Sequence, residues 1–236
     1  MARKNQNVNG YYNPVTIEKF SVALREAVEK VQAGEPVRVS ISNSNSKMGA
    51  VASVSTLPFL TCPSCCAGTC GPKCYAAKLA NLRPSCLKSY AMNTAIAIYR
   101  PDLYWSAVDL AIKAVRFFRF HVSGDIIDKK YFAHMIDAAR NNPHCEILCF
   151  TKKFDIVNAW IDENGDIPAN LHLLFSGWTN LTPVNPHSLP ETNVIEKGAE
   201  PAENWKICGG NCFNCACRGV GCWQAQRGDV IAFPIH

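Results

Sequence analysis

The sequence lacks several features that would assign it to common classes of protein. It has no run of the roughly 18 apolar residues that a membrane-spanning helix needs, so we expect no membrane segment. It has no phosphate-binding P-loop, no GxGxxG fingerprint and no GxSxG nucleophile motif. Nucleotide hydrolysis and serine-hydrolase chemistry therefore have no support. The first 20 residues also lack the apolar stretch of a secretory signal, so we expect a cytoplasmic protein.

Charge is also modest. Charged residues make up 18% of the 236 residues, hydrophobic residues make up 48%, and the net charge is +5. This composition is typical of a globular chain and too apolar for a disordered one. The mild basic excess permits contact with nucleic acid without requiring it. We predict a single domain over residues 1–236, with a helical extension at 1–35 and a cysteine-rich excursion at 179–236 that packs back on the core.

Cysteine, in contrast, is unusually frequent in this sequence. There are 13 cysteines, and ten of them fall into two short patches. The first patch holds Cys62, Cys65, Cys66, Cys70 and Cys74, and the second holds Cys208, Cys212, Cys215, Cys217 and Cys222. Disulfides rarely persist in a reducing cytoplasm, and an odd number of cysteines cannot pair completely. The two patches therefore indicate metal binding.

Iron–sulfur clusters and zinc are the two metal sites to compare. Two CxxC pairs, at Cys62–Cys65 and Cys212–Cys215, have the spacing of a zinc knuckle, and together they would close one tetrahedral site. The remaining spacings in the patches are irregular. Iron–sulfur clusters accept irregular spacing because their thiolates approach several iron atoms from different directions. We favour iron–sulfur clusters and keep zinc as the alternative.

The pattern from residue 117 onward is an alternation of strands and helices. FFRFHVSG, EILCFTK and LHLLFSGW read as apolar strands, and amphipathic helices separate them. Such strands indicate a parallel sheet covered by helices. We predict an α/β fold, a partial (β/α) barrel with helices outside and the cysteine-rich loops at the carboxyl ends of the strands.

Polar residues follow each of these strands. Ser123, Gly124 and Asp125 end the first strand, Lys152 ends the second, and Ser176 ends the third. Because the carboxyl ends of parallel strands meet at one edge of a sheet, these five residues are our candidates for cofactor binding. Asp125 would accept hydrogen bonds from a cofactor ammonium group or cap the next helix.

Three other features favour structural roles. His121 is read as a buried core histidine in preference to a metal ligand. Cys86, Cys145 and Cys149 are read as small buried hydrophobic residues. The stretch RFFRF at 116–120 interleaves arginine with phenylalanine as single-strand nucleic-acid binders do. Strand alternation would instead direct its phenylalanines into the core, and we prefer that interpretation.

The stretches NSKMGAVASVSTLP, RFHVSGD, CFTK and the closing cysteines followed by Trp223 resemble the phage- and plasmid-encoded "gene product 88" domain family. The resemblance extends roughly over residues 38–223. It implies an origin in a phage or mobile element, with host cytoplasm as the location. It also implies distant similarity to the radical S-adenosylmethionine half-barrel proteins. The spacing Cys66-x3-Cys70-x3-Cys74 approaches the CxxxCxxC of those enzymes but lacks its final CxxC.

The family pattern, carried over to this chain, implies seven metal ligands. They are Cys62, Cys70, Cys74, Cys208, Cys212, Cys215 and Cys222. Seven thiols would suit one cluster held by four cysteines and a second held by three, with one iron open. Cys65, Cys66 and Cys217 are additions to the pattern, and they leave the assignment of ligands to clusters open.

We therefore expect an iron–sulfur protein, with one or two 4Fe–4S clusters, that works as a radical S-adenosylmethionine-like enzyme. The alternative is a non-catalytic protein whose clusters, or zinc, hold its loops together while it binds a partner or nucleic acid. The sequence names no partner and leaves both a small molecule and a nucleic acid open as ligands.

Overall fold

The computed structural model describes residues 10–196 and 198–235, so the first nine residues of the expected N-terminal extension lie outside the described residues. The described helices are α1 Pro14–Gln32, α2 Tyr75–Leu82, α3 Pro84–Tyr99, α4 Pro101–Lys113, α5 Lys129–Asn141, α6 Phe154–Asn164 and α7 Cys212–Arg218. The described strands are β1 Ile41–Ser42, β2 Ala52–Val54, β3 Phe117–Phe120, β4 Glu146–Thr151, β5 Leu171–Ser176, β6 Glu191–Ile195, β7 Trp205–Ile207 and β8 Val230–Pro234.

The strands form one sheet in the order β1-β2-β3-β4-β5-β6-β8-β7. The β1–β2 pair is antiparallel, and every other pair is parallel. The prediction of an α/β fold with a parallel sheet is confirmed. The expected barrel is not: the sheet is open, because β1 and β7 form its two edges and do not pair with each other.

The strand order determines where the helices lie. From β2 to β6 the strands follow one another in sequence, so each connection advances across the sheet in the same direction. Parallel crossovers are almost always right-handed, and successive right-handed crossovers in one direction place their helices on one face. The larger core is built on that face, where Phe118, Ile147 and Leu173 of the sheet pack with helical residues such as Phe132 and Ile96.

The direction reverses at the end of the chain. β8 lies between β6 and β7, so the connection from β7 to β8 runs back toward the centre of the sheet. A right-handed crossover in that direction lies on the opposite face. The connection contains α7 and the second cysteine patch. A smaller core forms there, in which Phe117, Leu148 and Leu174 pack with Trp223 and Ile231.

The residues of β3 divide between the two faces. Phe118 and Phe120 are fully buried in the larger core, Phe117 belongs to the smaller core, and Arg119 extends from the same face as Phe117. Strand alternation therefore explains the phenylalanines of RFFRF, as we preferred, and it directs Arg119 toward the second cysteine patch.

The segment after residue 178 contains more regular structure than its sequence indicated. Three strands, β6, β7 and β8, lie in the region that we expected to be an irregular excursion. Pro and Asn are frequent there because the strands are short and the connections between them are turns. No helix within the described residues is long and apolar enough to cross a membrane.

Asn93 of α3 connects the first two strands to the helical layer. It is 1% exposed, and its amide nitrogen donates to the carbonyls of Ser40 and Ser55, both at 2.9 Å. Its amide oxygen accepts from the backbone nitrogen of Ser40 at 2.7 Å. All three hydrogen bonds lie where β1 and β2 meet α3, so this one side chain satisfies backbone groups that the short strands leave unpaired.

We expect Asn93→Ala to lower the free energy of unfolding by about 3 kcal/mol, because it leaves buried backbone groups without partners. Urea denaturation followed by circular dichroism measures this change. The control is Asn164→Ala at the exposed end of α6, which should change the free energy of unfolding by less than about 0.5 kcal/mol. Equal midpoints for the two variants would contradict the assigned role of Asn93.

Candidate metal and cofactor site

A cavity of about 640 Å³ opens between the carboxyl ends of the parallel strands and the second cysteine patch. Its size is within the range typical of small-molecule and cofactor sites. Eight cysteines line it, four from each patch: Cys62, Cys66, Cys70, Cys74, Cys208, Cys212, Cys215 and Cys222. The fold thus brings two patches that are distant in sequence to one site.

The first patch occupies the loop between β2 and α2. Two short 3-10 helices, Ser64–Gly68 and Gly71–Lys73, fold the loop so that its thiols converge. The Cys66 thiol interacts with those of Cys62 and Cys70, and the interaction with Cys62 raises the pKa of Cys66. Cys74 caps α2 by accepting from the backbone nitrogen of Ala77 at 3.4 Å.

The second patch is built on α7 and the turns beside it. The side chain of Asn211 caps α7 by accepting from the backbone nitrogen of Asn214 at 2.9 Å, and Gly219 ends the helix in a left-handed conformation. The indole nitrogen of Trp223 donates to the carbonyl of Cys212 at 3.0 Å. The backbone nitrogen of Cys208 donates to Ala232 of β8 at 2.9 Å. These contacts fix the patch against the sheet.

The other five cysteines do not line the cavity. Cys65 and Cys217 belong to the patches, and Cys217 is exposed. Cys145 and Cys149 are fully buried in the larger core, and burial raises the pKa of Cys145 to about 12. Cys86 lies on α3 away from the site. The positions of Cys145 and Cys149 agree with the expected role as buried hydrophobic residues, whereas Cys86 is only partly buried and belongs to neither core.

The thiols do not form a ready site for one ion. No three Cys, His, Asp or Glu side chains within residues 10–196 and 198–235 are arranged to hold a single metal ion. A structural zinc ion needs four donors at about 2.0–2.3 Å from one point. The cysteines of an iron–sulfur cluster bind separate iron atoms and therefore stand farther apart. The cysteines that line the cavity supply thiol donors, which both zinc and iron–sulfur clusters accept.

Each group of thiols has a cation beside it. Nη1 of Arg119 lies 3.9 Å from Sγ of Cys212, and the guanidinium carbon lies 4.7 Å from the ring centroid of Phe150. Nε of Arg119 is buried without a hydrogen-bond partner among the described residues. Burial raises the pKa of Cys222, and the charge of Arg119 opposes this rise. Burial likewise raises the pKa of Cys74 in the first patch, and the charge of Lys152 opposes that rise.

Asp125 connects two strand ends beneath the first patch. It is 5% exposed, and its Oδ1 accepts from the hydroxyl of Thr151 at 2.6 Å and from the backbone nitrogen of Ile126 at 2.8 Å. Its Oδ2 accepts from the backbone nitrogen of Lys152 at 2.9 Å. Burial raises the pKa of Asp125, and these hydrogen bonds oppose the rise. Asp125 does not cap the next helix, because Asp128 caps α5.

Lys152 and Ser176 meet in the cavity. Nζ of Lys152 donates to Oγ of Ser176 at 2.6 Å, and both residues are partly buried. Together with Asp125, they form a continuous row along the carboxyl ends of β3, β4 and β5. The structure thus brings together three of the five residues that were chosen from the sequence for cofactor binding.

Ser123 and Gly124 also line the cavity, but their contacts are with the protein. Oγ of Ser123 donates to the carbonyl of Thr56 at 3.0 Å. Gly124 has a φ of +78°, and a Cβ there would lie 2.0 Å from Oγ1 of Thr56 and 2.6 Å from Oγ1 of Thr61. Glycine is required at this position because the end of β3 lies directly against the segment that leads into the first patch.

His121 is enclosed by polar partners. It is 3% exposed, its Nε2 lies 3.1 Å from the hydroxyl of Tyr131, and its Nδ1 lies 3.9 Å from Sγ of Cys149. The Tyr131 hydroxyl in turn contacts that of Tyr104 at 2.7 Å. Burial and the charge of Arg119 lower the pKa of His121 to about 3. These partners and its burial favour a neutral imidazole, and the side chain stands at the wall of the cavity.

Sequence reasoning missed two residues of the site. Cys66 was treated as an addition to the pattern, yet it is 3% exposed and contacts two other thiols of its patch. Arg119 was considered only in relation to nucleic acid. Its position in a strand whose phenylalanines alternate was the available signal, since alternation places Arg119 opposite Phe118 and Phe120.

Comparison with known proteins gives one match. A family model described as Gene product 88 matches residues 23–205, and no curated protein and no solved structure matches. The matched residues include the first cysteine patch and end before Cys208, so the ligands of the second patch rest on the geometry alone. The match does not support the similarity to radical S-adenosylmethionine proteins. It agrees with an origin in a phage or mobile element. Because it covers well over half of the chain, the protein belongs to the Gene product 88 family.

Proposed function

We propose that this protein holds iron–sulfur clusters in the cavity between its two cysteine patches. The observation that supports the proposal is the lining itself, in which eight thiols meet in one partly buried cavity. Burial raises the pKa of several of these thiols, including Cys74, Cys208 and Cys222, so neutral thiols are favoured without metal. Metal ligation stabilises the thiolate form and offsets the cost of burial.

Charge supports the same proposal. A cluster bound by four thiolates carries net negative charge, and burying it needs compensating positive charge. Arg119 stands beside the second patch, and Lys152 acts on the thiols of the first patch. A guanidinium is weakly hydrated and tolerates burial better than an ammonium group, which suits Arg119, whose Nε is buried.

The ligands of the second patch would be Cys208, Cys212, Cys215 and Cys222. In the first patch, Cys62, Cys70 and Cys74 follow the family pattern, and Cys66 is a fourth thiol beside Cys62 and Cys70. If Cys66 binds metal, the first cluster is closed by four cysteines. If it does not, one iron is left for another ligand. The role of Cys66 therefore decides whether the first cluster is purely structural or has an iron that is open to a further ligand.

We propose the reactive arrangement, in a radical S-adenosylmethionine-like enzyme. The consecutive order of β2 to β6 is the order in which strands would follow one another in a half-barrel. A cluster with an open iron would supply one-electron chemistry to a bound cofactor. Asp125 already accepts three hydrogen bonds, and a carboxylate has about four acceptor sites, which leaves one on Oδ2 for an ammonium group.

The alternative is a protein without catalysis, in which clusters or zinc fasten the two patches while another surface binds a partner or nucleic acid. The attachment of the second patch to the sheet by Trp223 and by the Cys208 backbone would suit that role. Metal analysis distinguishes a zinc protein from an iron–sulfur protein. The response to S-adenosylmethionine distinguishes an enzyme from a protein whose metal has only a structural role.

We expect anaerobically purified protein to contain at least about four irons per chain and a similar amount of acid-labile sulfide. Cys70→Ser and Cys212→Ser should each lower the iron and sulfide content by about half, because each removes a ligand from one patch. Cys86→Ser and Cys217→Ser are matched controls, since neither residue lines the cavity, and both should retain the full content.

Zinc in place of iron, with no sulfide, would overturn the cluster proposal and favour the stapled binding protein. The Cys66→Ser variant addresses the open iron. Full iron content in that variant supports a ligand set of Cys62, Cys70 and Cys74. A loss of iron equal to that of Cys70→Ser would show that Cys66 is a ligand and would argue against the enzyme.

A second prediction concerns Asp125. We expect the EPR spectrum of the dithionite-reduced protein to change when S-adenosylmethionine is added, and we expect Asp125→Asn to abolish that change while keeping its iron. The amide retains the size of the carboxylate but loses its charge and half of its acceptor sites. Asp137→Asn, on the exposed side of α5, should respond as the wild type does. An unchanged response in Asp125→Asn would remove Asp125 from the cofactor site.

A third prediction concerns Arg119. Replacing Arg119 with Met should lower the reduction potential of one cluster by about 60 mV or more, a tenfold change in the one-electron equilibrium. The reason is that reduction adds negative charge, and Arg119 is the cation nearest to Cys212 in the described structure. Arg119→Lys keeps the charge and should shift the potential less. Potentiometric EPR titration measures both variants, and equal potentials in wild type and Arg119→Met would contradict this role.

A further inference from the structure

One face of α2 lines the mouth of the cavity and remains exposed. Tyr75, Lys78, Leu79 and Leu82 follow the i, i+3, i+4, i+7 spacing of a single helical face, and all four line the cavity. Tyr75 is 59% exposed and Leu82 is 70% exposed. The opposite face, composed of small alanines, packs into the larger core. Core packing therefore does not explain the residues on the outer face.

The charges at this mouth are positive. Lys47, Lys73 and Lys78 line the cavity, and all three are exposed. None of them forms an ion pair with a carboxylate in the part of the chain that the structure describes. Asp125 is the one carboxylate among the described lining residues, and it is 5% exposed at the strand ends, unlike the three exposed lysines. A cationic ligand would find no free partner at the mouth, whereas an anionic ligand would find three.

The lysines at the mouth are separate from the cations that accompany the thiols. Arg119 and Lys152 stand deep in the cavity, beside the second and first patches. Their charge would be offset by thiolate-bound metal. The three exposed lysines would remain uncompensated when the site is filled, so the mouth keeps its positive potential in the metal-loaded protein.

Tyr75 is held in a fixed orientation. It is the first residue of α2, and its hydroxyl donates a hydrogen bond to the carbonyl of Val122 at the end of β3. The helix therefore constrains the Cα end of the side chain and the hydrogen bond constrains its hydroxyl, while much of the ring surface is exposed to solvent. A second aromatic residue, Trp178, follows β5 and lines the same cavity. Trp178 is half-buried, so Tyr75 is the exposed ring of the two. An exposed aromatic ring in a cavity lined by cations is an arrangement on which nucleic-acid bases stack.

We propose that the α2 mouth, defined by Tyr75, Lys78 and Leu82 with Lys47 and Lys73, binds single-stranded nucleic acid. Its phosphates would contact the lysines, and a base would stack on Tyr75 and point into the cavity. The proposal deepens the proposed function, because it names the substrate class of the same site, and it rests on that function for any reaction at the bound base.

The exposure of the α2 face favours a chain of nucleotides as the ligand over a single free nucleotide. A small ligand is typically enclosed over 70–90% of its surface, which the open face of α2 does not provide. The face from Tyr75 to Leu82 extends for about 10 Å along the helix, because each residue rises about 1.5 Å. A chain of nucleotides that crosses the mouth would contact this length, whereas one nucleotide would not. Single-stranded bases are also the ones that can be turned out into a pocket.

The test is fluorescence anisotropy of a labelled oligothymidylate or oligouridylate of about 12 nucleotides, titrated with the metal-loaded protein over a series of salt concentrations. We expect Tyr75→Leu to weaken binding about tenfold through the lost stacking. Lys78→Gln should weaken binding and lower the slope of log affinity against log salt by about 0.7. Tyr75→Phe keeps the ring and should bind more tightly than Tyr75→Leu.

Tyr99→Leu and Lys88→Gln are the matched controls, because both residues lie on α3 and neither lines the cavity. Both should bind as the wild type does. Absence of binding at physiological salt, or equal loss in the control variants, would overturn the proposal. Displacement of the oligonucleotide by free mononucleotide at an equal concentration of nucleotide units would also overturn it, in favour of a small-molecule site. Iron measured on the same samples separates this failure from the failure of the cluster proposal.

Discussion

The right-handed connection between parallel strands is the constraint on which the site depends. It places the helices that follow β2, β3 and β4 on one face, because those connections all advance in one direction. It places the connection from β7 to β8 on the other face, because that connection runs backward. The first cysteine patch stands at the end of β2 and the second lies on the opposite face from the helices. One rule of chain handedness thus brings two remote sets of thiols to one cavity.

Hydrogen bonds between loops fix the walls of the cavity, together with the apolar packing of the smaller core. Asp125 joins the ends of β3 and β4, and Gly124 allows the first of these ends to lie against Thr56 and Thr61. On the opposite side, Trp223 and the backbone of Cys208 attach the second patch to the sheet. Buried hydrogen bonds of this kind rigidify a site, because displacement of a loop leaves a buried group without its partner.

Charge divides the cavity into two parts. Arg119 and Lys152 are half-buried beside the thiols, and three further lysines of the lining are exposed to solvent. The deep cations complement bound metal, and the outer cations remain free for an anionic ligand. The two groups of charges therefore face different ligands, although they line one cavity and interact through it.

The sequence alone determined the class of the fold and most of the site. Alternation of apolar strands with amphipathic helices indicated a parallel sheet, and polar residues at strand ends indicated Asp125, Lys152 and Ser176, because period and strand direction are local properties. Only the tertiary structure decided that the sheet stays open, that β6 to β8 complete it, and that Cys66 and Arg119 belong to the site. These outcomes depend on which strands become neighbours and in which order, and strand order is a long-range property that no local spacing encodes.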